Sequence, residues 1–265
     1  MIRLQSQIQN RNSVRKRLWN TLKGVIKSIG KNTLMAMTKR NRNTHHKMNL
    51  IEDIKSIFQV VSERPKEVII DDVYKILLLN LANNQIDQPF ANGNGKHAEF
   101  ALTQIFEKAK DEVYIFADSL HSETGERSYA YLNSIKQFLV KNPMSRLSIV
   151  LENDVDISES LNFIKALKSR FQDRISISKL PLNYNSFSLT TDNQKFHFTI
   201  ADDRMVRFEY DIQKRKATLN FNDPDFYASL KQCFDKYQYD SVPIAEDYDQ
   251  YVLKSMDNLR KEFSI

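Results

Sequence analysis

One cysteine stands in this chain of 265 residues. With Cys233 alone, no disulfide can close within the chain and no cysteine-based metal centre can be assembled from it. Its spacing with Leu230, Phe234 and Tyr237 is helical, so it reads as a small buried apolar residue. Long hydrophobic runs are missing too. No stretch approaches the roughly 18 apolar residues of a transmembrane helix, and no apolar segment precedes a small-residue cleavage site, so secretion is not expected. Glycine is scarce, with five residues in all. Asn92-Gly93-Asn94-Gly95 is too short for a phosphate-binding glycine loop and lacks the Lys-Ser pair or helix cap such a loop needs, so it reads as a linker. Internal repeats and low-complexity tracts are absent.

Acidic residues are wholly missing from residues 1–47, which carry 12 Lys or Arg. The remainder holds 27 basic and 33 acidic residues, so the net charge of +6 divides into +12 and −6. A basic overall balance therefore says little about the body of the chain. Within the leader, Leu18, Leu22, Val25 and Ile29 share one helical face, opposite Lys16, Lys23, Lys27 and Lys31. Such a helix can lie on anionic lipid, contact nucleic-acid phosphates or dock on a partner. Its acid-free, Arg-containing character also fits a mitochondrial presequence. A disordered tail, or a true start at Met37 or Met48, are the plainer alternatives. The expected location is the cytoplasm, or the mitochondrion if the source is eukaryotic.

What is present suffices for a folded protein. Hydrophobic residues make up 41% and aromatics 11%, ample for a packed core. Four parts are expected: the leader 1–47, a small helical preface 48–91, an α/β domain 92–242 and a helical tail 243–265. In the preface, Leu50, Ile54, Ile57, Phe58 and Val61 suggest one helix. Val73, Ile76, Leu77 and Leu81 suggest a second, after Pro65 and an Asp71-Asp72 cap. The body then alternates: helix 97–110, strand 112–118, helix 126–141, strand 146–151, helix 157–171 and strand 174–178. That order predicts parallel pairing through helical crossovers. Strands near 194–200, 204–210 and 215–221 make the sheet mixed, and a helix at 224–239 follows. The tail's stripe of Tyr248, Tyr251, Val252, Met256 and Leu259 is expected to pack on its own domain.

The most informative segment is 195–210. Phe196, Phe198 and Ile200 alternate with His197 and Thr199, and Val206, Phe208 and Tyr210 repeat the pattern after Asp202-Asp203. This is a hairpin with a lone histidine. It resembles the active-site hairpin of the phospholipase D-like superfamily, whose signature runs His, any residue, Lys, four residues, Asp, six residues, Gly-Ser-any-Asn. Here the lysine position holds Thr199, the aspartate position Arg204 and the Gly-Ser pair Asp211-Ile212. Residues 96–118 resemble that family's opening helix and strand, and residues 220–234 its closing strand and helix.

The resemblance implies an α/β fold, a mixed sheet flanked by helices, with the basic and helical N-terminal extension added. It implies His197 as the candidate catalytic group, since the family's histidine attacks phosphorus. The family's lysine and asparagine bind the phosphate oxygens. Losing both removes the electrostatic stabilisation on which such catalysis relies, so a non-catalytic module is expected, contacting nucleic acid or a protein. A homodimer with His197 near its axis is implied in the same way, as is a setting in bacterial defence. The rival is a phosphodiesterase or nuclease that uses His197 with Arg204 or Arg207 in place of the lost clamp. A membrane-surface protein anchored by residues 1–47 is the third reading.

Arg204, Arg207, Lys214 and Arg215 are the candidate phosphate-binding residues. Arg207 and Glu209 can equally form a same-face ion pair of small value. Ligands of open α/β sheets gather at the carboxyl ends of the parallel strands. That places Asp118, Ser119 and His121 at a candidate cleft, with Asp202, Asp203 and Glu209 of the hairpin. Glu123, Glu152, Asn153 and Asp154 fall at the same ends. Turn and cap roles account for these acids more simply than a metal does. His97, His121 and His45-His46 lack matched ligand spacing, and no Ser-His-Asp or Cys-His set can be assembled. No cofactor and no metal are expected.

Overall fold

A computed structural model describes residues 66–92, 94–118, 120, 128–152, 159–181, 184, 195–244 and 250–265. The leader, the first preface helix, Ser119, His121, Glu123, Asn153 and Asp154 lie outside them. The chain divides at Ile69, and the architecture is that of the unit Ile70–Ile265.

Helix α1 (Lys66–Asn84) begins just after Pro65 and carries the second preface pattern, but it starts five residues before Asp71, so Asp71 and Asp72 lie inside it and are not its cap. It is followed by β1 (Phe90–Asn92), α2 (Gly95–Lys108), β2 (Glu112–Ala117), α3 (Tyr129–Lys141), β3 (Arg146–Leu151), α4 (Glu159–Phe171) and β4 (Ile175–Lys179). Then come β5 (His197–Ala201), β6 (Met205–Asp211), β7 (Lys216–Asn220), α5 (Pro224–Asp240), β8 (Val242–Pro243) and α6 (Gln250–Phe263). The eight strands form one mixed sheet, ordered β1-β7-β6-β5-β2-β3-β4-β8. β2, β3 and β4 are parallel, and β5, β6 and β7 form an antiparallel meander. β5 lies antiparallel to β2, on the side away from β3. The alternating and meandering halves therefore meet at β2 and β5.

One face of the sheet carries Phe116, Phe198, Ile200 and Val206 under Leu230, Phe234 and Tyr237 of α5. The Phe116 ring lies 4.5 Å from that of Tyr237 and 5.5 Å from that of Phe198. Each such ring contributes about 1.5–3 kcal/mol by leaving water. Cys233 is half-buried at the edge of this cluster, and burial pushes its thiol up. In the tail, α6 buries Met256 and Leu259, and Met256 clusters with Ala166 of α4.

Two short segments differ from the sequence reading. Asn92 ends β1, paired with Ala217 of β7, and Asn94 caps α2 by accepting from the His97 amide at 2.8 Å. The expected linker is thus strand end and helix cap, because Asn satisfies an orphan amide of the first turn. Likewise Val242–Pro243 pairs with β4. Strands this short carry no period for a sequence to show.

Among the described residues, no helix is long and apolar enough to cross a membrane.

Candidate functional site

The hairpin keeps its two faces apart as the alternation requires. On β5 and β6, Phe198 opposes Phe208 and Ile200 opposes Val206, while His197 opposes Glu209 and Thr199 opposes Arg207. The second set is buried as thoroughly as the first: His197 and Arg207 are 1% exposed, Thr199 and Glu209 0%. A charged cluster thus lies inside the protein.

Glu209 is its centre. Its Oε2 lies 3.5 Å from His197 Nδ1, and its Oε1 lies 3.4 Å from Arg207 Nη2 and 3.8 Å from Arg215 Nη1. Burial alone pushes the carboxyl up, but the His197 contact and the Arg207 and Arg215 charges outweigh it and hold it below the ordinary range. Glu209 is therefore a carboxylate at neutral pH. Because Arg207 and Glu209 are closed off from water, the small value expected of a same-face surface pair does not apply. A buried pair is expensive to break from one side.

The histidine is fixed from its other nitrogen. His197 Nε2 accepts the main-chain N–H of Asp118 at 2.9 Å. The antiparallel pairing of β5 with β2 sets this contact, since Phe116 opposes Phe198 and His197 then falls beside the residue after β2. An imidazole accepting at Nε2 is neutral and carries its proton on Nδ1, facing Glu209; the tautomer follows from the hydrogen-bond geometry. Attack on phosphorus needs a free ring lone pair, and here that pair is held by an amide.

The other candidate residues separate into two groups. Arg207, Arg215 and Glu209 join His197. Asp118 does so through its main chain. Arg215 reaches in from the turn before β7 at φ 54°, its carbonyl accepting from the Asn92 side-chain amide at 2.9 Å. Lys214, one residue earlier, has a 70% exposed side chain beside Asp211. Asp202, Asp203 and Arg204 form the hairpin turn at the far end of β5, about 17 Å from His197 at ~3.4 Å per residue. Asp202 and Asp203 take φ of 49° and 62°, a region Asp tolerates better than most residues. The Asp202 carboxylate accepts from the amides of Lys110, Asp111 and Glu112 at 2.6, 2.9 and 3.0 Å. Arg204 pairs with Asp203 at 3.0 Å and donates to the Asp202 carbonyl. Asp202 ties the hairpin to the start of β2, Asp203 and Arg204 pair within the turn, and none of the three is part of the cluster. Ser119 and His121 fall outside the described residues.

Tyr74, not singled out for the site, feels the charge of Arg207. Tyr74 of α1 stacks on His97 of α2, ring centroids 3.7 Å apart and planes 2° apart. Burial raises the Tyr74 phenol well above its usual value, with the Arg207 charge opposing. His97 Nε2 contacts Asp71 at 3.1 Å; burial lowers its pKa and Asp71 works against that. At the carboxyl ends of the strands, Lys195 meets Glu152 at 3.2 Å. Among the described residues, no three His, Cys, Asp or Glu side chains gather as a metal site.

No protein-family model matches the chain, and no curated protein does. Solved structures are similar to it. TrmBL2, an archaeal chromatin protein with a novel mode of DNA binding, is 14% identical over 74% of this chain and 71% of its own, with a TM-score of 0.43. Nuc, a phospholipase D family member from Salmonella typhimurium, is 12% identical over 60% of this chain and 100% of its own, with a TM-score of 0.43. The phosphatidylserine synthase of Haemophilus influenzae Rd KW20 is 11% identical over 67% of this chain and 46% of its own, again at 0.43. The likeness is one of fold.

Proposed function

We propose that this chain is a non-catalytic phospholipase D-like protein that binds a nucleic-acid or protein partner without cleaving it. The carrying observation is the Asp118 amide on His197 Nε2 at 2.9 Å. It occupies the lone pair a nucleophile would use. Two further features support the reading. The position of the family's lysine holds Thr199, which has no charge to offer a phosphate. Arg207, the nearest substitute, is turned onto Glu209 and is 1% exposed.

A partner that brings phosphates would meet positive charge in residues 1–47, at +12, rather than in the −6 remainder. Binding of DNA or RNA is expected to weaken steeply with salt and to be lost on deleting 1–47. Liposome co-sedimentation of the same pair of proteins tests the membrane-surface alternative. A homodimer remains part of the proposal, but with His197 buried inside one chain the ring is not what a second copy would contact.

Hydrolysis of bis(p-nitrophenyl) phosphate, DNA and RNA by the wild type and His197→Ala tests the reading. Equal, background-level turnover is expected. Turnover in the wild type that disappears in His197→Ala would overturn it in favour of a phosphodiesterase that uses His197 with substitute arginines.

A further inference from the structure

Around Glu209, hydrogen-bond donors outnumber acceptors. Arg207 Nε and Nη1, Arg215 Nη1 and His197 Nδ1 are buried without a hydrogen-bond partner among the described residues, and so is the Thr199 hydroxyl. Guanidinium nitrogens can only donate. The facing acceptors are the two Glu209 oxygens, and at 3.4 to 3.8 Å they stand beyond ordinary hydrogen-bond length. Buried donors of this kind rarely stay unmet in a folded protein.

The charge is unbalanced in the same direction. Arg207 and Arg215 contribute two positive charges and Glu209 one negative, while His197 is neutral because Nε2 accepts an amide hydrogen. The sum is +1. The unmet groups are neighbours: Thr199 is the register partner of Arg207, and Arg207, Arg215 and His197 all approach Glu209, whose two oxygens are themselves without a hydrogen-bond partner among the described residues.

We propose that this cluster is an interior site for a small monovalent anion of the halide class, held by Arg207, Arg215 and the Thr199 hydroxyl. An anion only accepts, which is what the surplus donors require. One negative charge brings these four side chains to zero, whereas a dianion would carry them to −1. The inference rests on the reading of His197 as neutral and amide-capped, and it gives the arginines a structural occupant in place of a substrate.

Crystals of the full chain soaked in bromide test the site directly. Anomalous density within hydrogen-bond reach of Arg207 and Thr199 is expected. In parallel, thermal midpoints are compared in chloride and gluconate at equal ionic strength, since an anion bound only by the folded state stabilises it. The midpoint is expected to be higher in chloride, and the difference to be lost in Thr199→Val and in Arg215→Gln. Bromide confined to the surface, or water alone at the cluster, would overturn the proposal, as would an undiminished chloride effect in both variants. Should a variant not fold, the bromide map still decides. The two readings fail separately: turnover that depends on His197 sinks the non-catalytic reading whatever the bromide shows, and an empty bromide map leaves that reading standing.

Discussion

The Asp118 amide and the His197 ring are joined at 2.9 Å across the boundary between the parallel and antiparallel halves of the sheet. The contact couples the chemistry of the hairpin to the register of β5 on β2. Replacing His197 by Ala leaves a part-buried N–H without its acceptor, which costs about 1–3 kcal/mol. His197→Ala is therefore expected to lower the urea midpoint while leaving phosphodiester turnover at background.

Glu209 neutralises Arg207 inside the protein. Glu209→Gln leaves the guanidinium buried and uncompensated, and the expected loss is about 3–5 kcal/mol in chemical denaturation. The joint replacement Glu209→Leu with Arg207→Met is expected to be much milder than either charge deletion alone, since exchanging a buried pair for apolar groups is often neutral. Additive losses in the double variant would show that the pair is not coupled.

Acid should find the same residue. The folded-state pKa of Glu209 lies below its ordinary 4.5, so in that window the unfolded chain binds more protons than the folded one. This contribution to stability is fully present above the unfolded value and is lost as pH falls through the folded one. Denaturation measured from pH 7 down to pH 3 is expected to show a fall in stability at the acid end that is shallower in Glu209→Gln. An unchanged slope would remove Glu209 from the account.

Asp202 holds the turn to the start of β2 through the Lys110, Asp111 and Glu112 amides. Asp202→Ala forfeits those bonds and keeps the left-handed φ, which Ala tolerates less well. A loss of about 1–3 kcal/mol is expected, with partner binding unchanged once the protein is folded. Weakened binding by the folded variant would return this turn to the functional surface.

Arg174 donates to the carbonyls of Leu139, Asn142 and Ser145, closing the carboxyl end of α3. Arg174→Lys keeps a charge but not the planar fork that reaches several carbonyls. Faster amide exchange in residues 136–141 is expected in this variant, with the hairpin unaffected.

The sequence showed the α/β order, the mixed sheet and the two faces of the hairpin, because alternation such as Phe196-His197-Phe198-Thr199-Ile200 has a period to read. It did not show how deep the polar face lies. His, Thr, Arg and Glu at alternate positions look like a solvated face until covering elements are known, and Tyr74, which feels the Arg207 charge, is distant in sequence. Main-chain donors leave no trace in residue identity, so Asp118 was found for its side chain while its amide makes the decisive contact. Proximity in sequence misled at the turns. Lys214 and Arg215 are neighbours, yet one faces water and the other reaches Glu209. Asp202 to Arg204 follow β5 directly, yet a strand carries them away from His197.

Nitrogen-15 NMR of the imidazole rings addresses the central claim most directly. For His197 the account predicts a neutral ring with its proton on Nδ1, and coupling between Nε2 and the Asp118 amide across their hydrogen bond, persisting through neutral pH. A ring protonated at Nε2, or one that shows no coupling to that amide, would contradict it.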